Sequence, residues 1–290
     1  MTERLFSTLA DWLSTEAVVL ATVLSTRGAS PRHAGAQMLV AARGNAGSVG
    51  GGRLEQHAIA AARQLLAGTG DAREVAIDLT GREGAHGVCG GSMRIVLRRW
   101  QGEADRERAA SIAQSLGAGR RVALDTTDLG GTDAALELEP APRLLILGAG
   151  HCGLALCHAA RPLGYDLQVL DDRAGGYDTT AFVGATCHND RDALPALLEG
   201  ERRVAAVLQN RDWPTDAALL PILAQRPPHY VGMMGSRKRV RQVFKAVPDL
   251  AEFCGRIHAP IGLPIGAETP EELAISILAQ VIATLRAVDA

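Results

Sequence analysis

The stretch 143–172, RLLILGAGHCGLALCHAARPLGYDLQVLDD, constrains this chain more than any other. The apolar run at 144–147 is long enough only for a buried strand. Gly148, Gly150 and Gly153 follow in the spacing G-x-G-x-x-G. An apolar-periodic helix over 152–161 comes next, and Pro162 and Gly164 stop it. A second strand over 167–170 ends on Asp171 and Asp172, about 20 residues past the glycines. Each part has a physical task. The first glycine makes the tight turn, the second lets backbone N–H groups approach a phosphate, and the third lets helix and strand pack closely. The helix N-terminus favours the anion, and the carboxylate suits ribose hydroxyls. These residues specify a Rossmann unit. A fold alone does not establish that its site is occupied.

The βα alternation continues after Asp172. Strands are expected over 183–187, 204–208 and 230–234, with a last one near Ile257, and helices over 192–198, 215–224 and 236–247. Strands separated by helices imply a parallel sheet covered on both faces. The final helix starts with Thr269 as N-cap, Pro270 at N1 and Glu272 at N3, a capping box.

The N-terminal half reads as a smaller α/β domain. A helix over 3–13 precedes strands over 17–23 and 36–41, with a hairpin turn at Arg43-Gly44-Asn45. The segment 25–35 holds Arg27, Arg32 and His33 between turn formers. GSVGGGRLE then leads into a helix reaching residue 67. Gly50, Gly51 and Gly52 mark either a tight strand-to-helix turn or an anion nest of successive N–H groups. Strands over 73–79 and 92–98 flank a glycine-rich loop carrying His86 and Cys89. A helix over 103–116 and a strand over 121–125 follow. The Gly-, Asp-, Glu- and Pro-rich stretch 128–142 reads as a linker. The expected division is a domain at 1–130, a linker at 131–142 and a Rossmann-like domain at 143–290.

Composition narrows the function classes. Aromatic residues make up 3% of the 290-residue chain, which argues against nucleic-acid binding by base stacking. A net charge of −2 leaves no electrostatic footprint for DNA or an anionic membrane. The 5 cysteines are scattered, without a CxxC pair, as in a reduced, cytoplasmic protein. No apolar run has the length of a membrane span, and the acid-bearing N-terminus does not read as a signal peptide.

Several polar groups are candidates for chemistry at the strand ends. Ser236 is an N-cap, but Arg237, Lys238, Arg239 and Arg241 crowd the positive end of their helix, where an anion would relieve the conflict. The alternative is a solvated basic face. Asp171 favours ribose hydroxyls and Arg173 a 2′-phosphate, which leaves NAD against NADP open. His151 is placed to touch phosphate or cap its helix, and His188 and Asp190 are weak acid–base candidates. Catalytic residues are not identified.

Taken together, TRGASPRHAGAQMLV, GSVGGGRLE and VCGGS in the first half, and LLILGAGHCG, VLDDR, YVGMMGSRKR and GLPIGAETPEELAISILAQVIA in the second, resemble the xanthine dehydrogenase accessory proteins, the XdhC/CoxI family. The resemblance covers almost the whole chain. It implies a chaperone, not a catalyst in the usual sense. Such a protein binds the molybdenum cofactor (molybdopterin), helps it acquire its terminal sulfur ligand and delivers it to a xanthine-dehydrogenase-like molybdenum hydroxylase of purine catabolism. A cysteine desulfurase is the candidate sulfur donor and a homodimer a candidate assembly. The site residues implied are Gly50, Gly51, Gly52 and Glu55, Cys89 as a molybdenum contact, and Gly148, Gly150, Gly153 and Asp171. Ser236 and Arg237 join them from the helix-start argument. Arg53 stands where members often have Cys or His, and Gln209-Asn210-Arg211-Asp212 where members often carry a Thr-His-Asp-His-like run. The competing reading is an NAD(P)-dependent oxidoreductase, and a third is an interaction protein with vestigial sites.

Overall fold

The computed structural model describes residues 2–82 and 90–287, which divide into two compact units, Met1–Pro140 and Ala141–Ala290. In the first, α1 (Thr2–Leu13) leads into β1 (Val18–Arg27), β2 (Gln37–Ala41) and β3 (Gly44–Gly47). Then come α2 (Gly52–Ala67), β4 (Ala72–Asp78), β5 (Ser92–Trp100), α3 (Gly102–Gly117), β6 (Val122–Leu124) and β7 (Leu136–Leu138). The main sheet runs β3-β2-β1-β5-β4 with every pairing antiparallel.

Alternation along β1 explains why both faces of this sheet are covered. Val19, Ala21 and Val23 meet Leu54, Ala58 and Leu65 of α2, while Val18 and Leu20 meet Phe6 and Leu9 of α1 and Ile112 of α3. Phe6 and Leu9 are fully buried, worth about 1.5–3 kcal/mol each.

The second unit is a parallel sheet wound on both sides. Its elements are β8 (Arg143–Leu147), α4 (His151–Ala160), β9 (Asp166–Leu170), β10 (Thr186–His188), α5 (Leu194–Leu197) and β11 (Val204–Leu208). They continue with α6 (Trp213–Gln225), β12 (Tyr230–Met233), α7 (Arg237–Ala246), α8 (Ala251–Gly255) and α9 (Pro270–Ala287). The strand order β10-β9-β8-β11-β12 reverses direction at β8, the switch point of a doubly wound sheet. One face packs on α4 and α9, the other on α5, α6 and α7. The capping box of α9 is present: Glu272 N donates to Thr269 Oγ1 at 3.2 Å, and Thr269 N to Glu272 Oε2 at 3.2 Å.

Four sequence expectations differ from the structure. β10 starts later than 183, because Val183 is 55% exposed and Gly184 takes a left-handed φ of +86°. The helix expected over 192–198 is reduced to a 3-10 turn and the short α5. Near Ile257 there is only a single bridge, Gly232 to His258. The stretch 128–142 is packed, not a free connector: Leu129 and Leu138 are buried, β7 pairs with β6, and Asp128 takes Arg108 at 2.6 Å. Among the described residues, no helix is long and apolar enough to cross a membrane.

Candidate functional site

Parallel pairing in the second unit extends one residue past the strands at their C-terminal edge. Asp171 N donates to His188 O at 3.1 Å, Gly148 N to Leu170 O at 2.9 Å, Gln209 N to Leu147 O at 2.9 Å and Met234 N to Leu208 O at 2.8 Å. Asp171, Gly148, Gln209 and Met234 therefore stand in one row across the edge where such sheets bind ligands.

The three loop glycines have three different reasons. Gly148 has φ +118°, and a Cβ there would lie 2.8 Å from the carbonyl carbon and oxygen of Gln209. At Gly153 a Cβ would lie 2.3 Å from Gly148 O, so this glycine is what lets α4 close on its strand. Gly150 has ordinary backbone angles and nothing within 4 Å of its Cβ position. The space beside it is open, and the N-terminus of α4 has no side-chain cap. Its first backbone N–H groups are therefore left without a side-chain partner, next to open space.

Asp171 is 6% exposed, and its acceptor positions are taken. Oδ2 accepts from Ala149 N at 2.7 Å, and Oδ1 from Arg173 N at 3.1 Å and Arg173 Nε at 2.8 Å. Arg173 Nη2 closes a second contact on Oδ2. Burial pushes this carboxyl up, but the hydrogen bonds from Arg173 and Ala149 outweigh it and hold the group below its ordinary range. The expected ribose acceptor is thus engaged with the chain's own arginine. Asp172 pairs with Arg191 in the same way.

The basic helix start is corrected in one residue. Ser236 caps α7, accepting from Arg239 N at 3.3 Å. Arg239 is not free for an anion. Its guanidinium donates to the carbonyls of Asn210 (2.6 Å), Arg211 (2.9 Å) and Asp212 (3.0 Å), and to Oδ2 of the fully buried Asp216 (2.6 Å). Arg237 and Lys238 are exposed. His188 and Asp190 have structural partners: His188 Nε2 lies 2.8 Å from Gln168 Oε1, and Asp190 accepts from Asp192 N at 2.9 Å. His151, the exposed first residue of α4, caps nothing. Burial and then Glu271 raise the Cys152 thiol, and burial pushes Cys157 up to about 11, so neither is an activated nucleophile.

In the first unit the glycine-rich segments meet at one end of the sheet. A Cβ on Gly28 would lie 3.2 Å from Gly90 O and Gly91 Cα, one on Gly91 2.3 Å from Arg27 O, and one on Gly50 2.8 Å from Pro31 Cγ. Gly50, Gly51 and Gly52 all take positive φ, and the Cβ positions of Gly51 and Gly52 are open. The nest expected there already holds a carboxylate of the chain. Glu55 Oε2 accepts from Val49 N and Gly51 N, each at 3.1 Å, and from the Ser48 hydroxyl. Cys89 and His86 lie outside the described residues. No group of three or more His, Cys, Asp or Glu with metal-holding geometry occurs among the described residues.

A Rossmann unit with its glycine loop at the switch point, preceded by an antiparallel α/β unit with its own glycine cluster, defines a class of two-unit α/β proteins. Family models match both parts: the XdhC and CoxI family over residues 12–76, and the XdhC Rossmann domain over residues 144–281. The chain belongs to the XdhC and CoxI family. It is 27% identical over 272 residues to the uncharacterized protein YqeB of Escherichia coli, covering 91% of this chain and 42% of that one. It is 30% identical over 158 residues to a probable xanthine dehydrogenase subunit of Bacillus subtilis, covering 52% and 46%. The chain thus spans less than half the length of these two relatives. It is 25% identical over 294 residues to the molybdenum cofactor insertion chaperone PaoD of E. coli, covering 93% and 84%. A solved structure described as a xanthine dehydrogenase from Bacillus halodurans superposes with a TM-score of 0.79 at 25% identity, covering 99% of this chain and 96% of that one.

Proposed function

We propose that this protein is an accessory factor that binds the molybdenum cofactor, holds it while its terminal sulfur is installed, and inserts it into a xanthine-dehydrogenase-like hydroxylase. The observation that supports this most is the likeness to PaoD, which runs through both units. A cysteine desulfurase as sulfur donor belongs to the same proposal. Two phosphate seats enter this proposal, the Gly148–Gly153 loop of the second unit and the glycine end of the first. The residues there fit a phosphate-bearing ligand: the space at Gly51 and Gly52 is open, and the exposed Arg27, Arg32 and Arg53 have no ion-pair partner among the described residues. When bound, the cofactor supplies a soft molybdenum–dithiolene centre, which a thiolate such as Cys89 suits. The chain's own task there is to hold the phosphate by the charge of Arg27, Arg32 and Arg53 until delivery, since the amides of Val49 and Gly51 already serve Glu55. The oxidoreductase reading is weakened because Asp171 is engaged with Arg173 and Ala149, and because His188 and Asp190 serve structural hydrogen bonds.

The test loads wild type and Cys89→Ser with molybdopterin cofactor and measures bound molybdenum and its transfer to an apo-hydroxylase. Wild type should retain molybdenum and restore the hydroxylase, and Cys89→Ser should retain less. No retention by wild type would overturn the chaperone role. Equal retention and transfer by the two would return Cys89 to packing.

A further inference from the structure

One side chain in the edge row of the second unit is buried with its polar atoms unpaired among the described residues. Gln209 continues β11, and its backbone lies against the turn at Gly148. Strand alternation places its side chain with Ala205 and Val207, on the face covered by α4 and α9. Its neighbours turn the other way, and Asn210 Nδ2 donates to Asp216 Oδ1 at 2.8 Å on the α6 side. Gln209 is 8% exposed, and neither Oε1 nor Nε2 has a hydrogen-bond partner among the described residues. A buried carboxamide with nothing to pair with destabilises the fold that contains it, and an apolar side chain of the same shape would not. An unpaired polar group beside an open glycine loop is accounted for when its partner arrives with a ligand.

The rest of the row narrows that ligand. On one side stand the uncapped α4 N-terminus and the open space at Gly150, suited to a phosphate. On the other stands Met234, packed on the same core face, an adaptable apolar wall for a flat ring. A carboxamide offers a donor and an acceptor side by side, so its complement is a ligand edge with adjacent N–H and C=O groups. We infer that Gln209 is the reading residue of this crevice, pairing with the lactam or carboxamide edge of a flat heterocycle whose phosphate sits on the Gly148–Gly153 loop. Both amide atoms are sealed from solvent, so making the pair requires the side chain to turn about its own χ angles. Two sources carry this chemistry, the pterin of a molybdopterin-type phosphate and the nicotinamide of a dinucleotide. Only the pterin source rests on the proposed function.

Gln209→Met keeps the unbranched shape and removes both polar atoms. Thermal unfolding and calorimetric affinity are measured on the full chain with three probes: inorganic phosphate, NAD⁺, and a pterin carrying a phosphomonoester. The expected result is a Tm equal to wild type or a few degrees higher, unchanged phosphate affinity, and about tenfold or greater loss for one heterocycle, which identifies the source. A lower Tm, or an equal loss for phosphate, would mean a structural role and overturn the inference. It is equally overturned if both heterocycles bind the variant as they bind wild type, or if wild type binds neither. That last outcome leaves the chaperone role standing, since molybdenum retention and transfer test it separately. Failed transfer together with Gln209-dependent NAD⁺ binding would do the reverse.

Discussion

Replacing Arg239 with methionine should destabilise the second unit far more than an ordinary loss of a surface charge. The guanidinium neutralises Asp216, which is fully buried, and holds the carbonyls of residues 210–212. Those carbonyls can find water. The buried carboxylate cannot, and among the described residues it keeps Asn210 as a partner. Leaving one member of a buried pair uncompensated costs about 3–5 kcal/mol. At about 2–4 °C per kcal/mol for a unit of this size, calorimetry should find one transition lowered by roughly 6–20 °C. Acidity gives the sharper check. Burial already raises the Asp216 carboxyl, against the lowering pull of Asn210 and Arg239. A group raised in the folded state stabilises below its unfolded value, and that stability is lost as pH rises toward the folded value. Without Arg239 the folded value moves higher still, so the deficit should be large at neutral pH and shrink as pH falls through that raised value and the acid becomes neutral. Adding Asp216→Asn should recover most of the loss. A deficit independent of pH would refute the argument that an uncompensated charge is its cause.

Gly153→Ala should cost about 1–3 kcal/mol, because its Cβ would meet Gly148 O at 2.3 Å. Gly150→Ala should unfold within about 0.5 kcal/mol of wild type yet bind phosphate more weakly by calorimetry. Glu55→Gln should cost the first unit about 1–2 kcal/mol at neutral pH, with solvent screening part of the effect. Burial pushes the Glu55 carboxyl up, but bonds from Ser48, Gly51 and Val49 hold it below the ordinary range. Wild type's advantage in urea unfolding should therefore hold at neutral pH and fade as pH drops through that lowered value. Gln at both Arg237 and Lys238 should raise Tm slightly by removing cations from the start of α7, up to about 1 kcal/mol each. A weaker, less salt-sensitive phosphate affinity in that variant would instead assign the pair to anion binding.

What the sequence made legible was local. The glycine spacing, the strand before it and the acid after it determine a βαβ unit whose parts lie within 30 residues, and the Thr269–Glu272 capping box lies within a single turn. The differences arise where the partner is distant or hidden. Arg239 looks like one cation in a basic helix start, and only the fold brings it to Asp216 and the loop after β11. Glu55 reads as a member of a nest, yet its reach back to Val49 and Gly51 fills that nest. Leu129 and Leu138 sit among turn formers, so their burial is masked by their neighbours. Gln209 stood out only as a departure from a family run, and its unpaired amide is a property of packing that no spacing expresses.

The hydrogen bond from Ala149 to Asp171 bears on timing. This bond, reinforced by Arg173, fixes the glycine loop from below. A loop already held in place gives up little freedom when an anion settles on it, so association is governed by encounter and not by ordering of the backbone. Residence time is then set by how many contacts must break at departure. An anion held on such a rigid loop by few contacts would load and leave rapidly.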